Sequence, residues 1–358
     1  MGVLDLHKLF SDVFHPEPDE CVVVIVDTPH GDYADHDLWR ERREMATEWQ
    51  AAWVSLAKEV GFEVLPLVSF PASGAHNANL PLDEGAPMVL REALEQATLA
   101  LALTQFSATA PLSAWSKEHG DFRAASLPQV ARRMEQTALS ADYAEVARRC
   151  KILKDALSKA ELAQVTFSTG HQWQVDLRFR DAKMDDGQLP RGKSGFPIIN
   201  LPSGESFQVP YEGERDGIES LTKGEIPVAY GDTRVVFHVE KNRIVTVSGD
   251  EPKAGELRAF FDVDPMRRNI AELALGCNAN AVVWGNVLED EKAGFHWAYG
   301  RSEHLGGVVA PKDFTSPDHI EHQDIVYAKD SPIQIAALVL VEADGRENEV
   351  IRDGDYLI

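Results

Sequence analysis

The sequence predicts an N-terminal α/β domain of the doubly wound kind, followed by a mostly β C-terminal domain. The run CVVVIVDT, residues 21–28, is continuous and β-branched, as in a strand buried on both faces. After it come a turn-rich loop, a helical stretch from Leu38 to Val60 and the strand-like FEVLPLVSF, an order that builds βαβ units. In the second half the texture changes to two-residue alternation broken by Gly, Asp, Asn and Pro turns, which is the pattern of half-buried strands.

The first pattern recurs once more, as helix-prone PMVLREALEQA and then apolar LALALTQFS. From Leu127 to Leu162 apolar residues fall at helical spacing, with Ser140 and Asp142 as caps before a second helix. This stretch is expected to bridge the domains, giving 1–162 and 163–358. Beyond it AQVTFSTG, QWQVDLRFR, RVVFHVEKNRIVTVSG and IQIAALVLVEADGR supply strands, and the polar stretch Asp181 to Pro197 is expected to be a mobile loop.

A chain of 358 residues exceeds what one hydrophobic core usually serves, so two domains are expected. Lys plus Arg number 35 against 58 Asp plus Glu, and the resulting charge of −23 argues against nucleic acid or an anionic membrane surface as partner. Small neutral or cationic ligands remain open. The three cysteines, Cys21, Cys150 and Cys277, are too few and too scattered for a disulfide framework or a thiolate zinc site. They are expected to pack the core in a reducing, cytoplasmic setting. No apolar run reaches the ~18 residues of a membrane span.

Chemistry concentrates between residues 272 and 324, where Glu272, Glu291, His296, Glu303, His304, His322 and Asp324 stand among glycines and short apolar runs. Imidazoles and carboxylates are the ligands of borderline divalent cations. His322 and Asp324, two apart on an extended strand, point to one face and suit chelation. Upstream, Glu205 leaves a tight turn shaped by Pro202 and Gly204 in NLPSGESFQVP. Taken singly, Glu205 reads as a solvated turn residue, Glu272 as an exposed carboxylate and His296, between Phe295 and Trp297, as a core histidine. In the loop TPHGDYADHD, His30 and His36 are candidates for ligand or interface contact, against a reading with Asp35 or Asp37 as helix N-cap.

Six segments occur in order: NLPSGE, AELALGCN, GNVLEDEK, HWAYG, HLGG and HQD. Together they resemble the aminopeptidase T family of dinuclear metallopeptidases, also called the thermophilic leucyl aminopeptidase family. The resemblance implies two divalent ions (zinc, cobalt, manganese or magnesium) held by Glu205, Glu272, His296, His322 and Asp324. It also implies a homodimer, and it leaves Glu291 as a motif marker without a ligand role. Where the family carries a tyrosine seven positions after the ligand His296, this chain has Glu303, with His304 next. Glu303 is open to metal binding, orientation of a substrate amine, or plain exposure. His304, if protonated, can donate to an oxyanion.

The leading expectation is hydrolysis of an N-terminal peptide bond or a related small amide by a metal-activated water, with Glu272 or Glu303 moving the proton. The alternative comes from the same superfamily, which resembles the ring-cleaving 2,5-dihydroxypyridine dioxygenases with one Fe(II). A facial triad would there have to be Glu272, His322 and Asp324. A third possibility is a family member that binds metal but has left peptide substrates.

Overall fold

A computed structural model describes residues 4–193 and 195–358; Ser194, in the stretch Asp181 to Pro197, lies outside them. The fold is mixed α/β, with three sheets among the described residues. It divides into two compact units: Met1–Ala147 with Asp185–Gly204 and Asn278–Lys292, and Arg148–Met184 with Glu205–Cys277 and Ala293–Ile358. The chain thus returns twice to the first unit after residue 162, instead of passing once from 1–162 to 163–358.

The first unit is built on a parallel sheet whose centre is the strand Cys21–Thr28. It pairs with Leu99–Leu103 on one side and with Glu63–Val64 and Val68–Pro71 on the other. Arg123–Ser126 and Ile198–Asn200 extend the sheet beyond Leu99–Leu103. Val22, Val24 and Val26 pack with Trp49 and Trp53 of the helix Asp37–Val60, whereas Val23 and Ile25 pack with residues of the helices Leu90–Gln96 and Thr109–Glu118. Helices therefore cover both faces, which is why the strand carries no polar alternation. Each such buried side chain contributes about 1.5–3 kcal/mol.

Two local expectations change. The long helix is capped by His36, whose Nδ1 accepts from the Trp39 N–H at 3.3 Å. Neither Asp35 nor Asp37 does this, because both are drawn to arginines, Asp35 to Arg43 at 2.7 Å and Asp37 to Arg40. His30 is exposed. Asp142 does cap the helix Tyr143–Leu157, accepting from Ala144 N at 3.0 Å, while Ser140 turns back to the Thr137 carbonyl.

The second unit stacks two sheets. An eight-stranded sheet contains the alternating runs foreseen from the sequence, from Ala160–Phe167 to Ile335–Glu342. A five-stranded sheet orders His322–Ala328, Gly294–Gly300, Ile270–Gly276, Glu205–Gln208 and Lys183–Asp185. That last strand forms inside the stretch expected to be a loop. Aromatic rings join the sheets, with Trp297 5.4 Å from Phe237 and 5.9 Å from Trp173. Cys150 and Cys277 are buried, as core packing requires, and Cys21 is partly so.

The segment leading into His322 is fastened by Asp264 and Arg267. Asp264, fully buried, accepts from Thr315 N and Oγ1, both at 2.7 Å, and from Met266 N at 2.9 Å. Arg267 Nε donates to the His319 carbonyl at 3.0 Å. Burial by itself would raise the Asp264 pKa, but these donors and His319 overcome it and hold the carboxyl at about 2. A depressed carboxyl stabilises the fold above its unfolded pKa of about 3.9, and the stability is lost as pH falls towards 2. Asp264→Asn should therefore unfold at lower urea, by about 2 kcal/mol near neutral pH. The gap to wild type should narrow between pH 4 and pH 2. A gap that stays constant over that range would remove Asp264 from this role.

Candidate metal centre

Alternation along four adjacent strands gathers the five ligands predicted from the motifs. Glu205 opens Glu205–Gln208, Glu272 lies in Ile270–Gly276, His296 in Gly294–Gly300, and His322 and Asp324 open His322–Ala328. Cross-strand register places Ala298 opposite both Glu272 and Asp324, and Ala274 opposite His296. These alanines leave room between the polar side chains. The intervening Phe295, Trp297 and Tyr299 project from the opposite face, into the aromatic layer.

Glu205, Glu272 and His296 bring one ligand atom each to within 4.8 Å of one another, and so do Glu272, His322 and Asp324. The two triads share Glu272. His296 Nε2 lies 3.3 Å from Glu205, and His322 Nε2 lies 3.3 Å from Glu272 and 3.6 Å from Asp324. Each imidazole turns its other nitrogen to a backbone carbonyl: His296 Nδ1 to Gly294 O at 3.2 Å and His322 Nδ1 to Arg301 O at 2.7 Å. A carbonyl only accepts, so Nδ1 carries a proton in each ring; in the metal-free chain Nε2–H donates to the carboxylates, and on losing that proton Nε2 would turn its lone pair to a bound cation.

Charge explains what the centre is suited to hold. Burial of His296 and His322 opposes protonation, yet the surrounding carboxylates win, raising His296 to about 9 and His322 well above its ordinary value. Burial pushes Glu272 up despite the hydrogen bond from His322. Three clustered carboxylates thus demand positive charge, which protons on the imidazoles supply in the metal-free chain. The donor set fits divalent cations of zinc, manganese or cobalt character.

The turn before Glu205 follows the sequence reading. Gly204 has φ +131°, and a Cβ there would sit 2.7 Å from Asn278 Cβ. Gly204→Ala should cost about 1–3 kcal/mol and lower metal content by displacing the turn that launches Glu205. Full metal occupancy with an unchanged melting temperature would contradict this.

Glu303 and His304 lie in the short 3₁₀ turn Glu303–Leu305 and outside both triads. Arg301 takes up the Glu303 carboxylate with Nε at 2.6 Å and Nη2 at 2.8 Å, which holds its pKa below the usual carboxylate range. Of the roles left open by the sequence, metal binding by Glu303 is not what this geometry offers. The His304 ring stands edge-on to His322, centroids 4.8 Å apart. Burial, then the neighbouring positive charges of His322 and Arg301, lower His304 to about 3, so its ring is neutral. Glu291 pairs with Lys292 and belongs to neither triad.

Nothing in the sequence marks Glu212, which organises the loop bearing these residues. Its buried carboxylate accepts from Ser302 Oγ at 2.6 Å, Asn269 Nδ2 at 2.7 Å, Val308 N at 2.7 Å and Arg180 Nη2 at 3.2 Å. A Cβ on Gly307 would lie 2.2 Å from Ser302 Oγ and 2.7 Å from Glu212 Oε2. Only glycine lets the loop close this tightly.

The fold resembles 2,5-dihydroxypyridine dioxygenase from Pseudomonas putida KT2440, with TM-score 0.63, 17% identity and coverage of 98% of this chain and 96% of that one. It also resembles wild-type AmpT from Thermus thermophilus, with TM-score 0.60, 15% identity and coverage of 99% and 98%. At such identities the likeness concerns the fold alone. Among curated proteins no sequence matches significantly. Over residues 108–356, however, the sequence matches the family described as thermophilic metalloprotease, M29. The match spans most of the chain and agrees with the family resemblance of the six ordered motifs, so this protein belongs to the M29 family of metallopeptidases.

Proposed function

We propose that the protein is an aminopeptidase-like hydrolase that removes an N-terminal residue from a short peptide, or cleaves a related small amide. The observation that carries this reading is the pair of triads joined through Glu272. Each triad offers one dication two carboxylates and an imidazole, with Glu272 common to both, so the donor set suits a pair of ions. In the one-iron alternative, Glu272, His322 and Asp324 would be the triad, and the Glu205–His296 pair would have no assigned part.

Bound metal ions would polarise the scissile carbonyl and lower the pKa of the attacking water. Glu205 and His296 would hold one ion, His322 and Asp324 the other, with Glu272 between them. The Nδ1 contacts of both imidazoles to backbone carbonyls keep each Nε2 aimed at the centre. His304, edge-on to His322, offers a neutral N–H to a developing oxyanion, in the region where the family tyrosine stands. Glu303, held by Arg301, keeps a carboxylate near this edge for the substrate ammonium. A homodimer, implied by the family resemblance, belongs to the same proposal. Among the described residues no helix is long and apolar enough to cross a membrane.

An aminoacyl-anilide panel, run beside oxygen uptake with 2,5-dihydroxypyridine and metal analysis after anaerobic purification, tests the reading. Anilide cleavage with two non-iron ions per chain is expected. One iron with oxygen uptake would replace it by the dioxygenase.

A further inference from the structure

On the reverse face of the strands that carry His296, His322 and Asp324 there is a recess of about 390 Å³, within the range of small-molecule sites. Tyr299 and Gln323, paired across the two strands, form its floor together with Asp324, and Tyr230, Lys253, Glu256 and Phe260 form its walls. Lys253, Glu256 and Phe260 come from the helix Lys253–Val263.

Tyr299 is the informative residue. It is only 5% exposed, and its hydroxyl, which is not sealed from solvent, has no hydrogen-bond partner among the described residues. A hydroxyl without a protein partner at the edge of a recess is open to a bound polar group. Around it the chemistry is zwitterionic on an aromatic bed. Lys253 Nζ lies 3.3 Å from Glu256 Oε2 and 4.9 Å from the centre of the Tyr230 ring. The Phe260 ring stands 6.0 Å from that of Tyr299.

We propose that this recess binds a free amino acid with an apolar side chain. Its carboxylate meets Lys253 and the Tyr299 hydroxyl, its ammonium meets Glu256, and its side chain lies against Tyr230 and Phe260. The adjacent ammonium and carboxylate of an amino acid match the adjacent, opposite charges of Lys253 and Glu256. The choice of ligand rests on the aminopeptidase reading, since a free amino acid is the product of that reaction. Gln323 immediately precedes Asp324 in the chain, so product bound here would bear on the backbone that presents a metal ligand.

The test is calorimetric titration of the full-length, metal-loaded protein with L-leucine, beside Lys253→Ala, Tyr299→Phe and His322→Ala. Wild type should bind one leucine with a dissociation constant of about 0.1–1 mM, as befits a ligand of nine heavy atoms. Lys253→Ala and Tyr299→Phe should weaken binding at least about fivefold with unchanged melting temperature, while His322→Ala leaves it intact. Leucinol and N-acetyl-leucine, each lacking one charge, should bind at least about fivefold more weakly. No saturable binding to wild type, or binding lost in His322→Ala and kept in Lys253→Ala, would overturn the proposal. The failure of the aminopeptidase reading would be separate: leucine would bind as described while no anilide is cleaved.

Discussion

Glu272→Gln is expected to leave the purified protein without either metal ion and to lower anilide turnover by at least about 10³-fold, the several kcal/mol that metal polarisation supplies. The size follows from position, because Glu272 is the one residue common to both triads. Glu205→Gln and Asp324→Asn each touch a single triad and should lose one ion while retaining the other. Glutamine preserves the volume at a site only 5% exposed, so the fold should survive with a cost of about 1–3 kcal/mol. Elemental analysis beside thermal unfolding separates the cases. Two ions per chain in Glu272→Gln would show that the triads do not share this ligand.

Glu212→Ala should lower unfolding stability by about 3–5 kcal/mol, as expected when one partner of a buried charge pair is removed. Arg180, Asn269, Ser302 and the Val308 N–H would all lose their common acceptor. The catalytic consequence runs through the loop. Arg301, whose carbonyl accepts a hydrogen bond from His322 Nδ1–H, and His304, against the His322 ring, both belong to it. Loss of such supporting contacts typically weakens metal binding 10–100-fold. Glu212→Gln, which keeps the volume, should lower kcat more than it raises KM, and Gly307→Ala should do the same by forcing the loop open. In a double-mutant cycle, E212Q and S302A should couple by about 1 kcal/mol or more. Additive effects with unchanged metal affinity would reduce Glu212 to a stabilising residue.

Where the information in a residue is local, the sequence yields it. The strand Cys21–Thr28 begins and ends where its β-branched run does, since burial on both faces leaves no competing pattern. The helix to Val60 and the alternating strands follow from side-chain period. His322 and Asp324 share a face because any extended pair two residues apart does. Joining them to Glu205, Glu272 and His296 needed the order of the motifs, because nothing local says that four strands lie side by side.

Long-range hydrogen bonds are a different matter. Glu212 sits in an acidic, glycine-containing turn that reads as solvated surface, yet its partners come from residues 180, 269, 302 and 308. His36 displaced two aspartates as helix cap only because arginines had claimed both carboxylates. Lys183–Asp185 became a strand because Glu205–Gln208 offered an edge, which its polar sequence did not advertise.

By itself, then, the sequence determined the element types, the family and the identity of the candidate ligands, since period, turn chemistry and motif order are properties of neighbouring residues. Only the tertiary structure decided that the ligands form two triads meeting at Glu272, that Glu303 answers to Arg301, and that Tyr299 faces a recess behind the metal strands. Those facts depend on distances between groups far apart in the chain, which are set when sheets pair and pack.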